Sequence, residues 1–207
     1  TINQVVFEGI QQPDNQWVSR NNPYHMAAFP SPKRDLAKAK ALLKEAGVPA
    51  FKFEIVSVGL SPFDRIVVPL AEDLKAVGID TTLKVLERGA YTQARNSGNV
   101  QSCVTGVVGP PDPDSPLVTL YAKNSFPPGL NTSRYDGVET LLAAASAAKT
   151  DADRAAAYKA VLQKVMTDVP VIPLYADKLF IAHTDKVVGL VQNSLFTVFT
   201  YPASLKG

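Results

Sequence analysis

The chain has 207 residues, 46% hydrophobic and 19% charged, with a formal net charge of +2. This balance describes an ordinary globular protein, long enough for a real core, and excludes a disordered chain. The charge is too small to imply nucleic acid or an anionic membrane as partner, no run approaches the roughly 18 apolar residues of a spanning helix, and one cysteine excludes an intrachain disulfide.

Thr1 to Pro32 has little periodicity and carries Pro13, Pro23, Pro30 and Pro32, so a loop-rich, extended lead-in is expected. Asp35 then caps a helix whose Leu36, Ala39, Leu42, Leu43 and Ala46 form an apolar stripe ended by Gly47. Phe51 to Val58 reads as a strand, and Ser61-Pro62 opens a helix through Ile66, Leu70, Leu74 and Val77, stopped by Gly78. Ile79 to Leu86 is the next strand, Arg88 to Ser97 a short helix, and Ser102 to Val108 a further strand. Such alternation argues for crossovers and a partly parallel sheet, an α/β fold.

A loop rich in proline and glycine follows, G-P-P-D-P-D-S-P over Gly109 to Pro116, with a helical turn near Leu117 to Tyr121. Val138, Leu141, Leu142 and Ala145 mark one helix. A second, capped by Thr150 or Asp151, buries Arg154, Tyr158, Val161, Leu162 and Val165. Pro170 ends it, and V-I-P-L-Y has strand composition. Strands at Val171 to Tyr175 and Leu179 to His183 are expected to form a hairpin around Ala176 to Lys178, with a short strand at Val187 to Leu190. The expected organisation is a lead-in over 1–34, an α/β lobe over 35–185 and a return segment over 186–207.

Enzyme signatures are missing from the sequence. His25 and His183 lie at no metal-ligand spacing from Cys103, and no G-x-S-x-G elbow occurs. Cys103, in S-C-V-T-G-V-V, reads as a small buried hydrophobe. G-V-V-G-P-P-D-P-D lacks the lysine of a phosphate loop, but it follows a strand, where ligands bind in open α/β sheets. Val107 to Asp112 is therefore the expected cleft wall, against the alternative that Asp112 and Asp114 only make turn hydrogen bonds. Most of Trp17, Tyr91, Tyr121, Phe126, Tyr135 and Tyr175 are expected to pack in the core, with Tyr121 and Phe126 the better cleft candidates. Asn131 either caps the helix pair or reaches a ligand. Arg88 and Arg95 suit bidentate binding of a carboxylate, though surface ion pairs are the commoner fate of such arginines.

Four ordered segments resemble one family. They are D-L-A-K-A-K-A-L-L-K-E-A-G (Asp35 to Gly47), L-A-E-D-L-K-A-V-G-I-D-T-T-L-K-V-L-E (Leu70 to Glu87), Asp112-Pro113-Asp114, and the run from Tyr135 through Arg154 and Tyr158 to V-P-V-I-P-L-Y. In this order they resemble the dipeptide, oligopeptide and nickel branch, family 5, of the bacterial extracellular solute-binding proteins that feed ABC importers. Glu139 replaces the usual Asp, and Gly137 stands where Asn-Pro is common.

The resemblance implies one lobe of a type II periplasmic-binding-protein fold, a mixed sheet flanked by helices. It also implies a fragment, because members are longer; the other lobe and any signal peptide would lie outside this chain. Implied partners are a small or peptide-like solute, the permease subunits and the missing lobe, in the periplasm or tethered outside the cell. No cofactor, metal or catalytic residue is implied. Peptide-binding members resemble W-x-x-D-Y-x-D-P-D, whose first aspartate pairs with the ligand's amino group. Counting back from Asp112-Pro113 places Gly109 at that aspartate and Pro110 at the aromatic. A buried ammonium without a carboxylate is costly, which disfavours a peptide gripped by its amino terminus unless a gapped loop brings Asp112 into the role. The candidate ligand-binding set is Val107, Val108, Gly109, Pro110, Asp112, Tyr121, Phe126 and Asn131. Two alternatives stay open: an α/β enzyme or its accessory domain, and a folded fragment without binding competence.

Overall fold

The computed structural model describes residues 1–29, 32–108, 111–178, 180–193, 195 and 197–206. The chain opens with a helix, α1 (Ile2–Phe7), and a two-residue strand, β1 (Gln12–Pro13). A helix of six residues is shorter than the window in which periodicity is visible, so the lead-in reads as loop from sequence although its start is helical. Val6 is buried in one cluster with Ile66 and Val67, which packs α1 against the sheet layer.

The next elements are α2 (Leu36–Glu45), β2 (Phe51–Val58), α3 (Phe63–Lys75), β3 (Ile79–Leu86), α4 (Arg88–Ser97) and β4 (Ser102–Cys103). Asp35 caps α2 by accepting from the Lys38 backbone N–H at 2.9 Å, as its sequence position implies. The three strands form a parallel sheet in the order β3-β2-β4, with Phe51 opposite Ile79, Val58 opposite Leu86 and Val56 opposite Cys103. Parallel neighbours need crossovers, and α3 and α4 supply them on opposite faces. Ile55 packs with Ile66 and Val67 of α3, while Val56 and Val58 pack with Tyr91 of α4. β2 is thus the central strand, buried on both faces over residues 55–58, which explains its continuous I-V-S-V run. The strand expected over Ser102 to Val108 makes ladder pairs only at Ser102 and Cys103, with one more bond from Val104 N–H to the Val56 carbonyl at 3.0 Å.

The second half is helical: α5 (Asp114–Tyr121), α6 (Glu139–Ala147) and α7 (Asp151–Asp168). Thr150 caps α7 by accepting from the Asp153 N–H at 3.1 Å, and Tyr158, Val161, Leu162, Val165 and Met166 are buried along it. Leu117, Tyr121, Val138, Leu142 and Ala145 complete that core, and Val18 from the lead-in joins it. Beyond α7 the expected hairpin does not form. β5 (Tyr175–Ala176) pairs antiparallel with β1 at the start of the chain, and Phe180 to His183 is irregular, while Leu179 lies outside the described residues. Pro170 and Pro173 remove ladder donors from this stretch. Two short ribbons close the chain: β6 (Val187–Val188) with β9 (Ser204–Leu205), and β7 (Val191–Gln192) with β8 (Val198–Phe199).

Candidate functional site

Because the β2-to-β3 and β3-to-β4 connections leave over opposite faces, a crevice is expected at the carboxyl ends of β2 and β4. A cleft of about 270 Å³ lies there. Val58, Leu60 and Phe63 give it an apolar side, α4 presents Arg88, Tyr91 and Arg95, and Thr105 and Gly106 follow from β4. A hollow of about 540 Å³ between Met26, Phe29 and Lys159 is larger. It sits where the lead-in crosses α7, away from the strand ends, and no fold-level argument favours it as the solute site.

The helix α4 is set by its own residues. Glu87 caps it by accepting the Gly89 and Ala90 backbone N–H groups, bonds that hold its carboxyl below the usual range. Tyr91 is buried, and its hydroxyl donates to the Val104 carbonyl at 2.8 Å, which fixes α4 against β4. The Arg95 guanidinium lies 5.8 Å from the Tyr91 ring centroid and donates to Thr105 Oγ1 at 3.5 Å and Asn96 Oδ1 at 3.3 Å. α4 ends at Gly98, with φ +72°, where a Cβ would lie 2.8 Å from Pro127 Cγ; glycine is required both by the left-handed turn and by the neighbouring loop.

The sequence candidates divide. Val107 and Val108 follow Gly106 on the exposed continuation of the cleft edge. Gly109 and Pro110 lie outside the described residues. Phe126 is half-buried after a 3-10 turn (Lys123–Ser125), in a loop whose Pro127 abuts the end of α4. Two candidates are corrected. Tyr121 is fully buried, stacked edge-on to Trp17 at 5.7 Å and Tyr135 at 6.0 Å, with its hydroxyl pushed up by burial, so it is a core residue and not a cleft wall. Asn131 is also fully buried. Its amide donates to the carbonyls of Ala122 at 3.1 Å and Tyr135 at 2.8 Å, and its oxygen accepts from Ser133 Oγ at 3.0 Å. That side chain closes the 122–135 loop; it neither caps α6 nor reaches a ligand.

Asp112 is paired within the chain. Arg154 Nη2 lies 2.9 Å and 3.0 Å from the two Asp112 oxygens, and Arg154 Nε is 3.2 Å from Oδ2. Asp112 also accepts the Asp114 N–H at 2.9 Å, the turn bond foreseen as its bland role. Asp114 in turn accepts from the Tyr158 hydroxyl and from Ser146 Oγ at 3.0 Å. Asp112 and Asp114, two apart in a turn, thus meet Arg154 and Tyr158, one helical turn apart on α7. The guanidinium lies 4.8 Å from the Tyr158 ring centroid. Burial, then the bond to Asp114, pushes the Tyr158 hydroxyl up to about 12. The D-P-D and R-x-x-x-Y motifs are two halves of one clasp that ties the loop to the helix pair.

Sequence reasoning left the α4 cleft residues underweighted. Arg88 and Arg95 form no ion pair among the described residues, contrary to the commoner fate expected of them. The strand order needed to see why they face a crevice is not written locally in the sequence. Cys103 is half-buried beside Tyr91, and burial pushes its thiol up, so it stays protonated. Among the described residues no group of three or more His, Cys, Asp or Glu side chains gathers as a metal site.

The model of the bacterial extracellular solute-binding proteins, family 5 (Middle), matches residues 1–128. The chain belongs to this family. The Glutathione-binding protein GsiB of Escherichia coli (strain K12) is 29% identical over 196 residues, which are 89% of this chain and 38% of that protein. The periplasmic binding protein DppA of Helicobacter pylori, solved in complex with the peptide STSA, superposes with a TM-score of 0.78 at 28% identity, over 84% of this chain and 35% of that one. The oligopeptide-binding protein AppA of Bacillus subtilis, solved with a nonapeptide, gives a TM-score of 0.85 at 20% identity over 100% of this chain and 45% of that one, a likeness of fold alone. The α/β architecture is that of type II periplasmic binding proteins. The chain spans 38% of the length of the curated relatives it matches.

Proposed function

We propose that this chain is the ligand-binding lobe of a substrate-binding component of an ABC importer, and that it closes with a second lobe on a small, peptide-like solute. The observation that carries this reading is the cleft at the carboxyl ends of β2 and β4, in a chain of a solute-receptor family. Binding by hinge closure needs no catalytic group and no cofactor; it draws on desolvated apolar contacts and a few polar anchors. The partners are the solute, the permease subunits and the remainder of the protein; the place of action is periplasmic or extracellular. Residues 1–34 form the lead-in, 35–185 the lobe and 186–207 the return toward the hinge. Exposed Ile172, Phe180, Tyr201 and Leu205 in and near that return fit a surface completed by the other lobe.

Thermal unfolding of the whole protein against a panel of di- to pentapeptides tests the reading. A true solute at a hundred times its Kd stabilises the protein by about 2.7 kcal/mol. The same solute should leave residues 1–207 alone unshifted, because half of the cleft is then missing. Turnover of a panel member, or a panel without any stabilising compound, would reject the solute-receptor reading.

A further inference from the structure

We infer that the hollow of about 540 Å³ between the lead-in and α7 is a second binding site, one that takes a small aromatic monocarboxylate. It lies apart from the cleft at the strand ends and is independent of the solute received there.

The volume falls in the range of pockets that enclose small organic ligands. Its wall is braced by buried groups. Gln16, 7% exposed, donates to the Met26 carbonyl at 2.9 Å and accepts the Met26 N–H at 2.9 Å, so one side chain holds both polar groups of that residue's backbone. Tyr24 meets Tyr158 of α7 edge-on at 5.9 Å, and the Phe29 N–H donates to the Met26 carbonyl at 2.9 Å. Met26 and Phe29 pack against the helical core and also line the hollow. Ala27 and Ala28 between them are too small to fill the space. A thioether beside a phenyl ring makes a polarizable floor that suits a flat aromatic body.

The polar side comes from α7. Lys159 and Gln163 both line the hollow, one helical turn apart, with about 5–6 Å between their Cβ atoms. Among the described residues Lys159 forms no ion pair and the Gln163 amide makes no hydrogen bond, whereas Lys164 on the same helix is paired with Asp168. His25 also lines the hollow, and Asp14 Oδ2 lies 3.6 Å from its Nε2 and 3.6 Å from Arg20 Nε. The other Asp14 oxygen accepts the Asn15 and Gln16 N–H groups, so this acid is committed to its own turn. Among the described residues no acidic side chain lines the hollow. One ammonium without a counter-charge, beside a neutral amide, matches a single negative charge; a dianionic phosphate would leave half its charge unmet. A ring on the Met26 and Phe29 floor with its carboxylate at Lys159 and Gln163 satisfies both halves of the site.

The test is isothermal titration of the whole protein with benzoate and phenylacetate, with their neutral amides, and with acetate as an anion lacking the ring. Wild type is compared with Lys159→Gln, at an exposed position whose unchanged melting temperature certifies the fold, and with Lys149→Gln as an exposed lysine elsewhere. The expected result is one-to-one binding of both aromatic acids, with amides and acetate at least about 10-fold weaker. Lys159→Gln should bring the acids down to the level of their amides, and Lys149→Gln should change nothing. No binding of either acid, equal binding of acid and amide, or equal binding of acetate overturns the site. Acid binding that survives Lys159→Gln but falls with Arg95→Gln puts the carboxylate in the cleft and overturns it as well. The solute-receptor reading is judged separately, by the peptide panel, so the two can fail independently.

Discussion

The clasp on α7 and the cleft on α4 use the same side-chain chemistry to opposite ends. In the clasp, Arg154 meets Asp112 and Tyr158 meets Asp114, so each charged or hydroxyl group has a partner supplied by the chain. In the cleft, Arg88 and Arg95 have no acidic partner among the described residues, and Arg95 is steadied by neutral groups. Polar groups satisfied within the chain serve the fold. Polar groups oriented but left without a counter-charge are available to a solute. An arginine therefore has to be read by its surroundings before it is read by its type.

Mutations should separate the two regions. The largest effect is expected in the helical core under the clasp: Leu162, fully buried on α7, should cost about 3 kcal/mol when changed to Ala, read by urea unfolding of the whole protein. Tyr158→Phe keeps the ring and removes the bond to Asp114, for about 1–2 kcal/mol in the same measurement. A gain is expected at Val169, a β-branched residue at φ 50° that caps α7 and is largely exposed. Val169→Asn relieves left-handed strain and should add up to about 1 kcal/mol, seen as slower hydrogen exchange in the last turn of α7.

A smaller, pH-dependent effect belongs to Asp168. Lys164 at 2.5 Å and the Tyr135 hydroxyl at 2.6 Å hold its carboxyl below the usual range, the Lys164 bond weighing most. Its folded value is lowered, so its contribution is complete above the ordinary carboxylate value near 4 and is lost as pH falls below that. The melting difference between wild type and Asp168→Asn should be constant from pH 7 to pH 5 and shrink toward pH 3; a difference unchanged at pH 3 would reject the linkage. The smallest stability effect is expected in the cleft: Arg88→Gln should stay within about 0.5 kcal/mol of wild type, because no fold contact depends on it. A large loss there would erase the contrast with Arg154.

Much of the fold was legible. Asp35, Gly47, Thr150 and Pro170 punctuate helices through local backbone chemistry, and the buried stripe of α7 follows from its spacing. The site was less so. Tyr121 and Asn131 stand beside a proline-rich loop in sequence, yet both are enclosed: Trp17, more than a hundred residues away, stacks on Tyr121, and the loop folds back so that the Ala122 and Tyr135 carbonyls bind Asn131. The strand around Tyr175 was misjudged for the same reason, since its partner is Gln12–Pro13 at the other end of the chain.

By itself, the sequence determined the bounds of α2, β2, β3, α4 and α7 to within a few residues, and which family the motifs resemble, because caps, prolines and apolar periods act locally. Only the tertiary structure decided which polar groups are left for a solute. The strand order β3-β2-β4 sets where the crevice opens. The pairing of Asp112 with Arg154, 42 residues apart, withdraws one candidate from it, while α4 leaves Arg88 and Arg95 without an acid among the described residues. Charge satisfaction is a property of neighbours in space, and the linear sequence does not name them.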